Sequence, residues 1–364
     1  MSSVYIIAEA GVNHNGSIDI ALEMVDTAAA AGADAVKFQS FKSEECVSRT
    51  AGKAEYQKRT TCAEESQLDM VRKLELGFDA HSKLVERAGK NKIEFLSTPF
   101  DLGSLDMLVR KFRVRVLKIA SGEIVNGPLL LAAARAGTDI ILSTGMSVLS
   151  EIEAALGVLA FGFIGKGGAP SAAAFLEAYK SEEGRGALEE KVALLHCTTE
   201  YPAPVNEANL KAMKTMREAF GLRTGFSDHT TGIEVALAAV AMGACVIEKH
   251  FTMSRGMEGP DHAASLEPAE LERMVSCIRN VEAAAGDGEK RPTASEMKNI
   301  GVARKSLVAS REIKMGQPFT VENITARRPG NGVSPIRYWE YIGKTAGRDY
   351  REDEQIDDVL PGGD

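Results

Sequence analysis

The strongest constraint on the fold is a regular alternation of short aliphatic runs with longer Ala- and Leu-rich amphipathic segments. This alternation is typical of βα units that build a parallel sheet. Eight such runs occur before residue 251, and they read VYIIAEA, DAVKFQS, IEFLST, VLKIAS, DIILST, VALLHC, RTGFSD and CVIEKHF. Eight strands favour a closed (β/α)8 barrel, an α/β fold of the TIM-barrel class, over an open sheet.

Three of the joints between a helix and the next strand share one form. At Gly32, Gly137 and Gly243 the order is helix, glycine, one residue, strand. Glycine is the usual left-handed residue just after a helix C-terminus. We therefore expect these glycines to end barrel helices with positive φ.

The composition changes after the last predicted barrel helix, near residues 266–285. The next segment is polar and weakly periodic, and the rest has short strand and turn signals such as SLVAS and ITARRPGNG. We expect a TIM-barrel catalytic domain at 1–285, a linker at 286–300 and a small β-rich domain at 301–364. Residues 165–190, rich in Gly, Ala, Ser and charge, predict a surface insertion without a role in the chemistry.

Charge and cysteine content exclude several classes of protein. A formal charge of -8 argues against a nucleic-acid-binding surface. The 5 cysteines are scattered and lack CxxC spacing, which argues against a disulfide framework or zinc knuckle and fits a reducing cytosol. No basic region precedes the first strand, and the apolar stretches are shorter than the ~20 residues that span a bilayer. We expect a cytoplasmic protein with no membrane partner.

Polar side chains are concentrated where the predicted strands end. In this fold, catalytic groups come from those strand ends and the loops after them. Unpaired buried charge costs several kcal/mol, so a barrel with no ligand would not need charge there. The candidates are Glu9, Lys37, Gln39, Thr98, Lys118, Ser121, Glu123, Ser143, Thr199, Tyr201, Ser227, His229, Glu248 and His250.

Two histidines, His229 and His250, close consecutive predicted strands. On neighbouring strands their imidazoles can hold one divalent metal beside a substrate. The alternative is that each is a hydrogen-bonded structural histidine.

Two lysines, Lys37 and Lys118, lie at the ends of nonadjacent strands. Nearby hydroxyls can join them around a tetrahedral oxyanion, which predicts a cradle for phosphate, or for phosphate and carboxylate. One alternative is that the lysines are surface residues. Another is a Schiff-base aldolase, in which a buried lysine attacks a carbonyl, although this would leave the histidine pair without a purpose.

Ten motifs in order make the chain resemble the sialic acid synthases, most of all those that form N-acetylneuraminate. The shift to a C-terminal module resembles their antifreeze-like (SAF) domain. The motifs are AEAGVNHNGS (8–17), VKFQSFK (36–42), LSTPFD (96–101), KIASGE (118–123), ILSTGM (141–146), LLHCTTEYP (194–202), FSDHT (226–230), IEKHFT (247–252), GPDHAAS (259–265) and RRPGNG (327–332).

The resemblance implies a condensation of phosphoenolpyruvate with the open-chain aldehyde of N-acetylmannosamine. C–O cleavage then gives sialic acid and phosphate. The same scaffold serves N,N'-diacetyllegionaminate and pseudaminate synthases, whose acceptors are 2,4-diacetamido trideoxyhexoses, so these remain the alternative. A remote alternative is a carbohydrate-binding or ice-binding protein without enzymatic activity.

The resemblance also implies roles for individual residues. His229 and His250 would bind Mn²⁺ or Mg²⁺, while Glu9 is our candidate general base and Glu248 a substrate-orienting carboxylate. Thr199 is grouped with the substrate-binding residues. The expected phosphoenolpyruvate contacts are Lys37, Thr98, Lys118, Ser121, Ser143 and Ser227. The expected sugar contacts are Gln39, Glu123, Tyr201 and Asp261.

The C-terminal module has an expected role as well. The resemblance implies a domain-swapped homodimer in which Arg328 of one subunit reaches the sugar in the barrel of the other. Its guanidinium offers forked donors to hydroxyl and N-acetyl oxygens. We expect Gly330 and Gly332 to permit a sharp turn there.

Overall fold

The chain forms two compact units, Met1–Gly286 and Asp287–Asp364. The computed structural model describes residues 3–62, 64–165 and 167–358. Within this described part, no helix is both long and apolar enough to cross a membrane.

The first unit is built on eight parallel strands whose order is β3-β2-β1-β8-β7-β6-β5-β4. Strand β1 pairs with both β2 and β8, and the end strands β3 and β4 lie within 8 Å of each other. This is the predicted (β/α)8 barrel. The strands are β1 (Tyr5–Gly11), β2 (Ala35–Ser40), β3 (Glu94–Pro99), β4 (Val116–Ile119), β5 (Asp139–Ser143), β6 (Val192–Cys197), β7 (Arg223–Asp228) and β8 (Val246–His250).

Helices connect the strands and cover the outside of the barrel. Several begin at a side chain that caps the first turn, as at Ser17, whose Oγ accepts a hydrogen bond from Ile20 N at 3.4 Å. The predicted helix-ending glycines have φ of 79°, 77° and 90°. The helices of this unit are α1 (Ile18–Ala30), α2 (Ser43–Cys46), α3 (Glu55–Thr60), α4 (Gln67–Lys73), α5 (Phe78–Asn91), α6 (Leu102–Asp106), α7 (Gly127–Arg135), α8 (Leu149–Ile164), α9 (Ala172–Lys180), α10 (Glu182–Lys191), α11 (Lys211–Phe220), α12 (Glu234–Ala241) and α13 (Pro268–Ala285).

The segment predicted as a surface insertion, 165–190, carries α9 and most of α10. Ser171 caps α9 and Ser181 caps α10, each by accepting a hydrogen bond from a backbone N–H of the first turn. Phe175 of α9 packs against Phe161 of α8, with ring centroids 5.3 Å apart. The segment is therefore helical and packed on α8, although residue 166 lies outside the described residues.

The inside of the barrel is apolar in its lower layers and polar at the top. Side chains from alternate strand positions fill the interior with a cluster made of Ile7, Ala35, Leu96, Ile141, Ala193, Leu195 and Val246. The strand register places Glu9 opposite both Lys37 and His250. Glu9 is the next inward-facing residue after Ile7 of this apolar cluster, toward the C-terminal end of the strand. The polar residues at the strand ends thus share one closed space.

The second unit has its own small core, which includes Leu307, Phe319, Tyr341 and Tyr350. Its elements are α14 (Ala294–Ala303), β9 (Ser306–Ala309), β10 (Ile324–Arg327) and α15 (Tyr338–Tyr341), and β9 pairs with β10 in antiparallel fashion. Helix α14 begins inside the segment predicted as a linker. A capping box, in which Thr293 and Glu296 bond each other's backbone N–H, starts this helix in spite of its polar composition.

The two glycines of RRPGNG serve close packing instead of a left-handed turn. Positive φ occurs at neither Gly330 nor Gly332. A Cβ on Gly330 would lie 2.4 Å from Cβ of Arg304, and one on Gly332 would lie 2.8 Å from Oε1 of Gln355. The chain does bend at residues 330–333, as expected, but glycine is required there because neighbouring chain segments leave no room for a side chain.

Candidate active site

A cavity of about 280 Å³ opens at the C-terminal ends of the barrel strands. Two of the predicted site residues do not line it. Glu123 instead accepts a hydrogen bond from Asn126 Nδ2 at 2.7 Å, and Arg328 lies exposed in the second unit, where its Nε donates to Ala303 O at 3.1 Å. The predicted residues that line the cavity are Glu9, Lys37, Gln39, Thr98, Lys118, Ser121, Ser143, Thr199, Tyr201, Ser227, His229, Glu248, His250 and Asp261.

Two lysines and two carboxylates form the floor of this cavity. Lys37 Nζ lies 2.7 Å from Glu9 Oε2 and 3.6 Å from Glu248 Oε2, and it donates to Thr98 Oγ1 at 3.1 Å. Lys118 Nζ lies 3.5 Å from Glu248 Oε1, and the same oxygen accepts a hydrogen bond from Ser227 Oγ at 2.8 Å. Glu248 is thus shared by both lysines, and Glu9 is a direct partner of Lys37.

The two carboxylates differ in proton affinity because of their surroundings. Burial raises the pKa of Glu9 to about 7, although Lys37 opposes the shift. Burial acts in the same direction on Glu248, but Lys118 and Lys37 outweigh it and lower its pKa to about 2. Glu248 therefore stays ionised at neutral pH, whereas Glu9 can take up or release a proton there.

The two histidines lie side by side at the rim of the same cavity. Their ring centroids are 5.4 Å apart. His229 Nδ1 donates to the carbonyl oxygen of Thr198 at 2.6 Å, so the lone pair of this ring lies on Nε2, 3.4 Å from Ser227 Oγ. His250 Nδ1 is buried and has no hydrogen-bond partner among the described residues, and it lies 3.8 Å from Asp261 Oδ2.

Both imidazoles are in the form that ligates metals. Burial lowers the pKa of His229 to about 4 and that of His250 well below its usual range, so both are neutral at pH 7. No group of three or more His, Cys, Asp or Glu suited to a metal occurs in the described chain. Two neutral imidazoles can hold a divalent cation and would leave its other positions to water and substrate.

Aromatic rings and a buried carboxyl complete the rim around the histidines. The Tyr201 ring centroid lies 4.2 Å from that of His229 and 5.4 Å from that of His250, and Tyr56 packs on Tyr201 at 5.1 Å. Burial raises the pKa of Asp261 to about 6. The Tyr201 ring thus covers one side of the imidazole pair.

A buried ion pair braces the ends of β7 and β8 behind the histidines. Asp228 and Lys249 face each other in the strand register, with Oδ2 and Nζ 2.8 Å apart and both side chains 0% exposed. Asp228 Oδ1 also accepts from Thr230 N at 2.9 Å and Thr230 Oγ1 at 2.8 Å. Each member of the pair directly precedes a cavity histidine. Sequence reasoning missed the pair because it lies outside the barrel mouth.

The brace gives a stability prediction. Thr230→Val removes one hydroxyl donor to the buried Asp228 carboxylate, so we expect the free energy of unfolding to fall by about 1.5–3 kcal/mol. Urea denaturation monitored by circular dichroism measures this. Thr138→Val is the matched control, because the buried Thr138 Oγ1 has no hydrogen-bond partner among the described residues. Equal loss in both variants would contradict the role of the hydroxyl.

Gly145 is a second site residue that sequence reasoning missed. Its N–H donates to Ser121 Oγ at 3.0 Å. A Cβ at this position would lie 2.3 Å from Thr199 Oγ1 and 2.8 Å from Ser121 Oγ. Only glycine leaves room for both hydroxyls at this edge of the cavity. The sequence signal that could have identified Gly145 is its position in the ILSTGM motif, directly after a predicted strand.

Part of the cavity lining is apolar. We call this surface the apolar wall, and it consists of Val12, Phe41, Val47, Met70, Val71, Leu74 and Phe100. Most of these residues belong to the long connection between β2 and β3, which a search of strand ends does not cover. Three polar residues of the same connection, Tyr56, Gln57 and Gln67, also line the cavity.

Comparisons with known proteins agree with this geometry. Residues 24–290 match the NeuB family, and residues 304–359 match the SAF domain. The chain is 51% identical over 356 residues to N,N'-diacetyllegionaminic acid synthase of Campylobacter jejuni, covering 98% of this chain and 99% of that protein. It is 42% identical to the protein of the same name from Legionella pneumophila, covering 93% of this chain and 89% of that protein.

A solved structure is similar as well. The N-acetylneuraminic acid (sialic acid) synthetase of Leptospira borgpetersenii, in complex with citrate, is 37% identical to this chain. The match has a TM-score of 0.66 and covers 82% of this chain and 90% of that one.

Proposed function

The chain belongs to the NeuB family and is a phosphoenolpyruvate-dependent nonulosonate synthase, and we propose that its sugar acceptor is a 2,4-diacetamido trideoxyhexose. The product would then be N,N'-diacetyllegionaminate. The observation that carries this proposal is the 51% identity with N,N'-diacetyllegionaminic acid synthase over 98% of the chain. The sequence motifs alone favoured N-acetylmannosamine as acceptor, and the relatives support the alternative better.

We propose that phosphoenolpyruvate binds over the floor of the cavity. Lys37 and Lys118 would pair with its phosphate and carboxylate, and the hydroxyls of Thr98 and Ser143 would donate to the same oxygens. Ser227 would join them by turning its single hydroxyl proton from Glu248 to the ligand. The buried, ionised Glu248 supports this arrangement, because its carboxylate lies within 3.6 Å of both Nζ atoms, favours their ammonium forms and holds them in place before the substrate arrives. Ser121, at the Gly145 edge, would complete the cradle.

The histidine pair would orient the acceptor. His229 and His250 would hold Mn²⁺ or Mg²⁺ through neutral imidazole nitrogens, and such a cation supplies Lewis acidity at an aldehyde oxygen when bound. Gln39, Tyr201 and Asp261 line the same part of the cavity and would contact the sugar. Glu123 does not line the cavity, so the structure gives no support to its predicted role as a sugar contact.

The proposed reaction forms one C–C bond and breaks one C–O bond. C3 of the enol attacks the aldehyde carbon, and the aldehyde oxygen takes up a proton to become a hydroxyl. Water adds at C2, and the bond between C2 and the phosphate oxygen then breaks as the new C2 hydroxyl loses its proton, which forms the ketone and releases phosphate. Water must lose a proton as it adds. Glu9 is the proposed acceptor of this proton, since burial puts its pKa near neutrality and Lys37 holds it beside the cradle.

The Glu9 role predicts a pH dependence. A base must be deprotonated to act, so we expect kcat to fall as pH drops through about 7, the pKa to which burial raises Glu9. Glu9→Gln should be at least about 10²-fold slower and should lack this acidic limb. Asp261→Asn is the control, because the pKa of Asp261 is about 6 and its loss should leave the limb near 7. An unchanged limb in Glu9→Gln would exclude Glu9 as the base.

The division of labour between the two units remains part of the proposal. We propose catalysis by residues 1–285, a connection at 286–300, and a C-terminal domain at 301–364 that completes the site of a second subunit in a homodimer. The exposed guanidinium of Arg328 supports this role. In that arrangement Arg328 would contact the sugar bound in the other subunit.

The direct test is a phosphate-release assay with phosphoenolpyruvate and a panel of acceptors. We expect a 2,4-diacetamido trideoxyhexose to be the preferred acceptor and N-acetylmannosamine a poorer one. Mass spectrometry should identify the nonulosonate product. Preference for N-acetylmannosamine would overturn the acceptor assignment, and no turnover with any acceptor would overturn the proposed function.

A further inference from the structure

We infer that the apolar wall is the specificity subsite, and that it selects acceptors carrying a methyl group at carbon 6 and an acetamido group at carbon 4. This inference rests on the proposed function and extends it to named residues. The wall faces the same cavity as the lysine floor and the histidine pair, so a sugar held at the histidines shares the cavity with it.

The wall is a fixed surface. Val12, Phe41 and Leu74 form a buried apolar cluster against which Val71 and Phe100 pack. The Phe41 and Phe100 rings meet edge to face, with centroids 6.3 Å apart. A surface that is already packed needs no ordering when a ligand arrives, so it can discriminate by shape and polarity.

Polar bonds hold the base of the wall in place. Glu75, just after α4, accepts hydrogen bonds from Ser43 N at 3.0 Å and Ser43 Oγ at 2.8 Å at the start of α2. Lys42 Nζ donates to the other oxygen of Glu75 at 2.8 Å. These bonds tie the start of α2 to the segment just after α4, within the β2–β3 connection.

The charge distribution excludes phosphoenolpyruvate from this surface. Its phosphate and carboxylate need the ammonium groups of Lys37 and Lys118, whereas the wall side chains offer no donors. The portion of substrate that meets the wall must therefore be uncharged and largely apolar. Only the acceptor can supply it.

The two candidate acceptors differ in what they would present there. N-acetylmannosamine carries hydroxyls at carbons 4 and 6, and the trideoxyhexose carries an acetamido group and a methyl group at these positions. Methyl groups gain from burial on the wall, while a hydroxyl buried there without a partner loses its hydrogen bonds to water. The amide of Gln67, beside the wall, can pair with the N–H and C=O of an acetamido group. Gln57 is less available, because its Oε1 accepts from Ala54 N at 3.0 Å and its Nε2 lies 3.5 Å from Tyr56 Oη.

The expected discrimination is moderate. An apolar pocket rejects an added hydroxyl by about 10- to 100-fold, because the loss is limited to one unpaired polar group. We therefore expect the wild-type ratio of kcat/KM, trideoxyhexose over N-acetylmannosamine, to lie in this range.

Val71→Thr tests the inference at one position of the wall. Threonine has nearly the shape of valine but offers a hydroxyl, so the kcat/KM ratio should fall by about 3- to 10-fold. Val47→Thr, elsewhere on the wall, is the second variant. Val85→Thr in α5 is the matched control, since Val85 is also a partly buried valine but does not line the cavity. Circular dichroism verifies that each variant is folded.

The outcomes separate this inference from the proposed function. A lower ratio in either wall variant, with an unchanged ratio in Val85→Thr, supports the subsite. If the wild type releases phosphate with both acceptors but the ratio is unchanged in both wall variants, the subsite is wrong and the proposed function stands. If the wild type turns over neither acceptor, the proposed function fails and the subsite falls with it.

Discussion

Replacing His229 with alanine is expected to lower kcat by about 10³-fold or more, and His250→Ala should do the same. Each substitution removes one of the two imidazoles that we propose to hold the divalent cation. Polarisation of a carbonyl by a metal contributes several kcal/mol to transition-state stabilisation, and each 1.36 kcal/mol corresponds to a tenfold change in rate. Phosphate release at saturating phosphoenolpyruvate and acceptor measures the effect.

A second readout separates loss of metal from loss of fold. Electron paramagnetic resonance titration with Mn²⁺ should detect binding by the wild type that is lost in both variants. Because only two protein ligands would hold the proposed ion, EDTA should abolish wild-type turnover and added Mn²⁺ should restore it. His196→Ala is the matched control: His196 lies near the end of β6, where its Nε2 contacts Ala208 O at 2.9 Å, and it does not line the cavity. Turnover that persists in His229→Ala without bound Mn²⁺ would contradict the proposed role of the metal in the reaction.

The barrel could be predicted from sequence because its signal is repeated. Every strand buried on both faces needs an aliphatic run, and every connecting helix needs an amphipathic segment, so eight repeats reinforce one interpretation. The glycines after the helices add a local signal that depends only on backbone sterics. Helix α14 was not predicted, since its capping box lies in a polar segment whose composition suggests a linker. The composition of a segment averages over all its residues, whereas the start of this helix depends on only two of them, Thr293 and Glu296.

The polar part of the cavity could also be predicted from sequence, because it too depends on the regular pattern of the strands. Strand periodicity fixes which side chains point inward, and chain order fixes which strands are neighbours, so Glu9, Lys37 and Glu248 could be assigned to one mouth before their distances were known. The sharing of Glu248 between two lysines could not be predicted. It depends on side-chain directions across the barrel, between strands far apart in the sequence.

The apolar wall and the brace behind the histidines escaped prediction for different physical reasons. The wall comes from a long connection with several short helices, where neither a period of 2 nor one of 3.6 reports which way a residue points. In the brace, Asp228 and Lys249 alternate with cavity residues along their strands. The period of two along a strand therefore places their side chains on the outer face of the barrel, where a charged side chain is expected to be exposed. Their mutual pairing permits complete burial instead.

Lys118→Met is expected to lower kcat/KM for phosphoenolpyruvate by about 10²- to 10³-fold. Truncation of one partner in a buried, hydrogen-bonded charge pair costs about 2–5 kcal/mol, and Lys118 is 3% exposed beside the shared Glu248. Steady-state kinetics with varied phosphoenolpyruvate measure this. Lys111→Met, on the exposed surface before β4, is the control and should be unaffected. An unchanged kcat/KM in Lys118→Met would remove this lysine from the cradle.

The same position decides between a phosphate cradle and a Schiff base. Arginine keeps the positive charge but cannot form an imine, so Lys118→Arg should recover at least about tenfold of the activity lost in Lys118→Met if the lysine acts by charge. A Schiff-base mechanism predicts equal loss in both variants, together with covalent labelling of Lys118 by substrate and borohydride. Burial lowers the pKa of Lys118, which alone would suit imine chemistry. The carboxylate of Glu248, 3.5 Å away, favours the ammonium form but only partly opposes this shift, so the direction of the pKa does not decide between the two chemistries and the arginine variant does.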